Sequence, residues 1–136
     1  MKTNIATDSL QSQRLLHCGV PADTADMARY EDDSVPMMLW DWTTGSYGGT
    51  FPAWSLSALL SLLPTSISSP LGNEYRLELS KLRMHNAWEV QWWYNRSRFT
   101  TYDKQKKFHK LWDKSPIEAC VKAIEWLTNN GYKLDE

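Results

Sequence analysis

The spacing of apolar residues near the C-terminus predicts the clearest helix of the chain. They recur every three or four positions, as one side of a helix requires: Ile117, Cys120, Val121, Ile124 and Leu127. Ser115 and Glu118 form a capping box around Pro116 at the first helical position, and Gly131 supplies a stop. We expect this helix to lay its apolar side on the strands that precede it.

Alternation of polar and apolar residues predicts two of those strands. Apolar side chains occupy every second position in two stretches: Tyr75, Leu77 and Leu79, then Trp88, Val90, Trp92 and Tyr94. A period of two gives each strand one apolar and one polar face. We therefore expect Glu89, Gln91 and Trp93 on a face directed away from the core. A shorter strand is expected at 98–102, and residues 103–114 form either a fourth strand or an irregular approach to the helix.

Capping signals predict two more helices in the N-terminal half. The first runs from Thr7 or Asp8 to His17. Its expected apolar anchors are Leu10, Leu15 and Leu16. The second spans Leu56–Leu63 and begins after Ser55. Its expected apolar stripe consists of Leu56, Leu59, Leu60 and Leu63.

The stretch between these two helices is less regular. Asp26–Asp33 is acidic and is expected to be exposed, whereas Met37–Trp42 is a candidate strand. Thr43–Thr50 reads as a flexible loop, and it lacks the glycine spacing of a phosphate-binding motif. Together the elements predict a single α+β domain over residues 1–136. It comprises a small antiparallel sheet of three to four strands and about three helices, with the C-terminal helix packed on the sheet.

Charge and cysteine content restrict the class of protein. The net charge is −1, although residues 74–114 carry ten basic against five acidic side chains. Two cysteines give no disulfide framework in a chain of 136 residues. The N-terminus lacks the apolar run of a signal peptide, and no apolar stretch is long enough to span a bilayer. We expect a cytoplasmic protein without membrane attachment.

Tryptophan is unusually frequent, with eight in the chain. Trp93 is the most informative, because it shares its predicted face with polar residues. A large aromatic side chain among polar neighbours suits a protein-binding surface. If a helix covers that side, Trp93 belongs instead to a second core. The aromatic and glycine-rich stretch Trp40–Trp54 is another candidate surface, either exposed or part of the core.

The densest run of basic residues gives a further candidate surface. It consists of Arg96, Arg98, Lys104, Lys106, Lys107 and Lys110. Aromatic residues interleave with it: Phe99, Tyr102, Phe108 and Trp112. Cations for phosphates and aromatic rings for unstacked bases are what a single-strand nucleic-acid binder uses. The alternative is a lysine-rich strand edge, since lysines there discourage edge-to-edge pairing of sheets.

No arrangement of residues specifies a metal site or a cofactor. The histidines and cysteines lack zinc-ligand spacing. Aspartates 23, 26, 32 and 33 lack the spaced loop of a calcium site. We therefore expect neither metal nor cofactor.

Enzymatic activity is a further hypothesis, but no sequence motif supports it. Cys18 with His85 or His109 is an imaginable nucleophile and base, and Glu78 with Glu89 an imaginable carboxylate pair. A charged strand surface accounts for the glutamates equally well. The sequence therefore favours a protein without enzymatic activity.

Three segments taken together resemble a known group of proteins. They are Ala25-Asp26-Met27, then Pro52-Ala53-Trp54-Ser55-Leu56-Ser57-Ala58-Leu59-Leu60 with Leu63-Pro64, and Ala119 to Trp126-Leu127 with Asn130-Gly131. They are similar to segments of small uncharacterised proteins encoded by phages, prophages and gut bacteria. The resemblance covers most of the chain, and the P-A-W-S-L-S-A-L-L segment is its most specific part. It implies a compact intracellular protein of mobile-element origin and implies no catalytic residues.

These observations lead to two function hypotheses. The first is a non-enzymatic interaction module that binds a protein partner through Trp93 and the surrounding polar sheet face or through Trp40–Trp54. The second is a nucleic-acid-binding protein that uses the basic and aromatic residues of 96–112.

Overall fold

The computed structural model describes residues 5–30, 37–38, 50–68, 74–82, 87–94 and 107–135. For residues 30, 37, 38, 50, 93, 94 and 107–110 it describes the backbone alone. In chain order the elements are α1 (Ser9–His17), a 3₁₀ turn (Ala22–Thr24), β1 (Met27–Tyr30), β2 (Met37–Met38), β3 (Thr50–Ala53), α2 (Leu56–Leu62), β4 (Ser66–Ser68), β5 (Glu74–Leu82), β6 (Ala87–Tyr94), β7 (Lys107–Asp113) and α3 (Pro116–Asn129).

The strands form two antiparallel sheets. The larger sheet has the order β4-β5-β6-β7, and the smaller has the order β2-β1-β3. The α+β class and an antiparallel sheet of four strands agree with the sequence prediction, but β4 lies in a stretch for which the sequence predicts no strand. The smaller sheet was not predicted, because its strands are short and two of them flank a long connection. The strand predicted at 98–102 lies outside the described residues.

The C-terminal helix α3 begins and ends where the sequence predicts. The Ser115 hydroxyl accepts a hydrogen bond from the backbone N–H of Glu118 at 3.3 Å, and Pro116 is the first helical residue. Gly131 adopts a positive φ of 78°, which closes the helix because glycine enters the left-handed region without steric cost. The helix packs on β6 and β7 and also contacts α1 and α2.

The main core lies between α3 and the larger sheet. Its fully buried side chains include Val90 and Trp92 from β6 and Ile124 and Leu127 from α3. Trp126 of α3 stacks on Trp92, with ring centroids 5.1 Å apart. The predicted apolar face of β6 is therefore the face that α3 covers.

Helix α1 forms as predicted but buries fewer leucines than expected. Asp8 and Gln11 make a reciprocal capping box at its start. Leu15 is fully buried, whereas Leu10 is 70% exposed and Leu16 is 40% exposed. Successive residues are rotated by about 100° around a helix, so Leu16 cannot share the direction of Leu15. The prediction of three apolar anchors was wrong for Leu10 and Leu16.

In helix α2, too, the spacing of leucines predicts the helix correctly but misassigns one of its buried residues. Ser55 caps it by accepting from the backbone N–H of Ala58, as predicted. Leu59, Leu62 and Leu63 are buried, but Leu60 is 37% exposed. Leu60 therefore does not belong to the buried side of the helix, and Leu62 does.

The acidic segment Asp26–Asp33 contains a buried strand instead of an exposed loop. Its residues 27–30 form β1, which lies between β2 and β3 in the smaller sheet. Ala28 is fully buried, and Arg29 is only 6% exposed. The Arg29 guanidinium donates to the carbonyls of Thr7 at 2.8 Å and Ala6 at 3.0 Å. Residues 27–30 are buried in spite of their polar neighbours, because β1 pairs with a strand on each side and the Arg29 guanidinium is hydrogen-bonded to backbone carbonyls.

We predict that two leucines of α1 differ sharply in their effect on stability. Leu15→Ala should lower the free energy of unfolding by about 2–5 kcal/mol, because it leaves a cavity in the core. Leu10→Ala, on the same helix, should change it by no more than about 0.5 kcal/mol, since Leu10 is exposed. Chemical denaturation of both variants measures the difference, and equal losses would contradict the burial described.

Candidate interaction surface

The larger sheet has a second face, opposite the one that α3 covers. Antiparallel pairing aligns residues across it in rows. One row consists of Ser80, Glu89 and Trp112, from β5, β6 and β7. The neighbouring row contains Glu78 and Gln91. We call this the outer face of the sheet.

Trp112 is the most prominent described side chain of the outer face. It is 53% exposed, whereas Leu111, the next residue of β7, packs against the main core. This alternation follows from strand geometry, because neighbouring residues point to opposite faces. A tryptophan that keeps half of its surface in water offers a large contact area to a partner.

The centre of the outer face is buried. Glu89 and Gln91 lie on the face directed away from the main core, as the alternation predicts, but they are only 4% and 5% exposed. This burial agrees with the alternative, left open by the sequence, that the outer side of the sheet is covered. Gln91 donates from Nε2 to the Ser80 hydroxyl at 3.3 Å, and its Oε1 has no hydrogen-bond partner among the described residues. Glu78 and Arg76, on β5 at the margin of this face, are exposed. On the outer face, the described polar side chains of the central strand β6 are therefore buried. The exposed side chains of this face lie on the strands to either side, β5 and β7.

The predicted binding residues are only partly described. Trp93 pairs through its backbone with Arg76 and Lys107, and a register shift separates it from Trp92. Lys107 and Lys110 both lie in β7. The side chains of these predicted residues lie outside the described part of the chain. Arg96, Arg98, Lys104 and Lys106 lie outside it entirely.

The second candidate surface, Trp40–Trp54, is core at its C-terminal end. Ala53 and Trp54 are fully buried. The Trp54 indole donates from Nε1 to the Thr24 hydroxyl at 2.9 Å, and the Trp54 backbone N–H donates to the Thr7 hydroxyl at 3.0 Å. Trp54 therefore joins the 3₁₀ turn to the N-terminal segment and is no binding residue. Residues 40–49 lie outside the described residues.

Cys120 is unsuited to nucleophilic chemistry. It lies on the buried side of α3, and burial raises the pKa of its thiol to about 12. A thiol with that pKa is protonated at neutral pH, and the thiolate is the reactive form. Cys18, the other cysteine, is also free, while its predicted partners His85 and His109 lie outside the side chains described.

The described acidic residues do not gather into a metal site. Within residues 5–30, 37–38, 50–68, 74–82, 87–94 and 107–135, no group of three or more His, Cys, Asp or Glu side chains converges. Asp26 is already engaged, because it accepts from the backbone N–H of Ser55 at 2.9 Å and from the Ser55 hydroxyl. Asp32 and Asp33 lie outside the described ranges.

Two open grooves flank the segment that follows α3. Their volumes are about 470 and 380 Å³, and Asp135 borders both. Ser57, Ser61 and Asp26 line the smaller groove. The described residues that line the two grooves include neither histidine nor cysteine, so no nucleophile faces a basic imidazole there.

Lys122 joins α3 to the end of β7. Its Nζ donates to the Trp112 carbonyl at 3.3 Å and to Asp113 Oδ2 at 3.1 Å. Asp113 also accepts from the backbone N–H of Ser115 at 2.9 Å, just before α3 begins. Partial burial opposes ionisation of Asp113. The N–H of Ser115 and the Lys122 ammonium outweigh it, and the pKa of Asp113 lies below its ordinary value.

Comparison of the chain with known proteins identifies no relative. No protein-family model, no curated protein and no solved structure matches the chain. Among the described helices, none has the length and apolar character that a bilayer crossing requires.

The positions of two residues in this region, Trp112 and Lys122, could be predicted from the sequence only in part. Trp112 was recognised as an aromatic residue of the basic stretch, but its exposure depends on 107–113 forming a strand. The role of Lys122 depends on how α3 lies against β7. Neither position follows from spacing along the chain.

We predict that the contribution of Asp113 to stability depends on pH. The depressed pKa means that the folded state favours the ionised form of Asp113, so the Asp113 carboxylate stabilises the protein at neutral pH. That effect should disappear as pH falls below the ordinary value of about 3.8. Asp113→Asn should therefore be less stable than the wild type at pH 7, and the two proteins should converge near pH 2. Urea denaturation at both pH values measures this, and a constant difference would contradict the assignment.

Proposed function

We propose that the chain is a non-enzymatic protein-interaction module of a phage or other mobile element, acting in the cytoplasm of a bacterial cell. The exposed indole of Trp112 on the outer face is the observation that carries this proposal. The resemblance of the P-A-W-S-L-S-A-L-L segment to small phage and prophage proteins supports the mobile-element origin. The outer face is also the face to which the sequence pattern assigns Trp93.

The physical argument rests on how protein interfaces distribute their energy. A few anchor residues carry most of the binding energy in protein interfaces, and tryptophan is one of the residue types that are enriched among them. Trp112 lies beside the buried Glu89, with the exposed Glu78 and Arg76 at the sheet margin. Glu78 and Arg76 belong to β5, two strands away from Trp112, so a partner that covers the outer face from β7 to β5 contacts both the aromatic ring and these charges.

Nucleic-acid binding is the second candidate, and one observation favours it. Lys107, Lys110 and the exposed Trp112 belong to the same strand, β7. A strand that carries both cations and an exposed ring can bind phosphates and stack a base. The two candidates share Trp112 and differ in whether the lysines matter.

We predict that Trp112→Ala abolishes capture of a specific partner. The experiment is affinity capture from host lysate, with the bound protein identified and its affinity then measured with both components purified. Loss of the Trp112 anchor should weaken binding at least about thirtyfold, the equivalent of about 2 kcal/mol. Leu10→Ala is the matched control, since Leu10 is 70% exposed on α1, away from the outer face.

Unchanged affinity of Trp112→Ala for that partner would contradict the proposal. The Leu10→Ala variant should bind as the wild type does. Circular dichroism of both variants distinguishes lost contact from lost structure.

We predict that the protein shows no salt-sensitive affinity for single-stranded oligonucleotides. A fluorescence titration at low and moderate salt tests this, because phosphate contacts make log affinity fall with log salt. Tight binding at low salt that is lost when Lys104, Lys106 and Lys107 are changed to glutamate would instead establish the second candidate.

A further inference from the structure

The segment that follows α3 packs alternate side chains against the protein. After the turn at Gly131, Tyr132 and Leu134 are half-buried, whereas Lys133 and Asp135 are exposed. A period of two is typical of an extended chain that lies with one side on a surface. We call residues 132–135 the strap.

Side-chain and backbone contacts both hold the strap. The Tyr132 ring stacks on Trp126 with centroids 5.6 Å apart, and Leu134 packs against the main core. The Asp135 N–H donates to the carbonyl of Leu62, the last residue of α2, at 2.8 Å. Backbone hydrogen bonds combined with pockets for alternate side chains are also the means by which proteins bind extended peptides.

The strap leaves space beside it on the surface on which it lies. The two open grooves, of about 470 and 380 Å³, flank it, and Asp135 borders both. Gly19 and Thr128 line the larger groove, and Ser57 and Leu62 line the smaller. A competing peptide can therefore begin to bind beside the strap before the strap has left.

Gly131 is the hinge between α3 and the strap. Its φ is 78°, a conformation that glycine adopts without cost and that asparagine tolerates, whereas most other residues avoid it. A Cβ at this position would meet no heavy atom within 4 Å. A larger side chain at Gly131 therefore acts on the backbone conformation and causes no steric clash.

We propose that the surface beneath the strap is a binding site for an extended peptide of a partner protein, and that the strap is its built-in competitor. The peptide has the chemistry of the strap itself. It carries an aromatic residue that stacks on Trp126 and, two residues later, a leucine or isoleucine that takes the place of Leu134. The site is separate from Trp112 on the outer face, so the two surfaces can be tested independently.

A partner's peptide fits this site more readily than the strap of a second copy does. Gly131 is the single residue between Asn130, the C-cap of α3, and Tyr132. The strap of a second copy reaches the site only if the ends of both α3 helices abut, whereas a separate peptide carries no such restriction. The chain's own strap is present at an effective concentration on the order of millimolar, so an external peptide has to compete with it.

The experiment measures how a capped peptide with the sequence of residues 131–135 binds to the full chain and to its variants. The double variant Tyr132→Ala with Leu134→Ala removes both anchors from the strap and leaves the surface beneath it unchanged. Lys133→Ala is the matched control, because Lys133 is exposed between the two anchors. An NMR titration of the backbone amides gives the dissociation constant and locates the site.

We expect the double variant to bind the peptide at least about tenfold more tightly than the wild type does, because its own strap no longer competes. The amides of Gly19, Leu62 and Thr128, which border the grooves, should shift during the titration. Lys133→Ala should bind as the wild type does. A peptide with alanine in place of its tyrosine and leucine should not bind to any of these proteins.

Gly131→Val tests the hinge while every contact of the strap is kept. A β-branched residue disfavours positive φ, so the strap should open more often and the peptide should bind about tenfold more tightly than to the wild type. The amide of Asp135 should also exchange faster with solvent. Gly131→Asn should stay close to the wild type, because asparagine tolerates this conformation.

A folded double variant that binds the peptide no more tightly than the wild type would overturn the proposal, because Tyr132 and Leu134 would then serve stability alone. Binding that leaves the amides beside the grooves unshifted would do the same. If sedimentation shows that Gly131→Val forms dimers, the occupant is a second copy and the assignment to a partner is wrong. If the double variant does not fold, the same titration of Gly131→Val decides, and an unchanged affinity contradicts the proposal.

Discussion

The burial of α3 against the larger sheet is the constraint on which the rest of the structure depends. One side of the helix packs on β6 and β7, and the helix also contacts α1 and α2. Its glutamates 118 and 125 bind Arg14 of α1, and these hydrogen bonds raise the pKa of the guanidinium above its ordinary value. Trp126 continues the apolar contact outward, stacking on Trp92 and on Tyr132. A single helix therefore joins the sheet to both N-terminal helices.

Helix caps and strand alternation predicted the helices and most of the larger sheet well, because both depend on interactions between residues close together in the chain. The caps at Asp8, Ser55 and Ser115 depend on a side chain and a backbone N–H three residues away. The alternation in β5 and β6 depends only on strand geometry. These interactions form within a few residues, so the sequence pattern indicates them. The return bond of the predicted capping box at α3 is an exception, because the Ser115 N–H donates to Asp113 and the Glu118 carboxylate binds Arg14.

The errors concern contacts between residues that are far apart in the chain. β1 is a strand because 50–53 and 37–38 pair with it, and nothing within 26–33 indicates this. Glu89 and Gln91 look solvated in a strand pattern, yet their burial depends on what surrounds the central strand. Likewise, the exposure of Trp112 depends on β7 pairing with β6. The candidate surface could therefore be predicted as a region but not as a set of exposed side chains.

The partnership of α1 with α3 also has a consequence for how the chain acquires its structure. The contacts of Arg14 with Glu118 and Glu125 join residues separated by 104 and 111 positions. During synthesis α1 leaves the ribosome early, but the helix that it packs against is completed more than one hundred residues later. The β5–β6 pair, by contrast, joins neighbouring strands and needs only a short connection to close. The contacts of α1 with α3 therefore cannot form before the last helix has been synthesised, whereas the β5–β6 pair can close earlier.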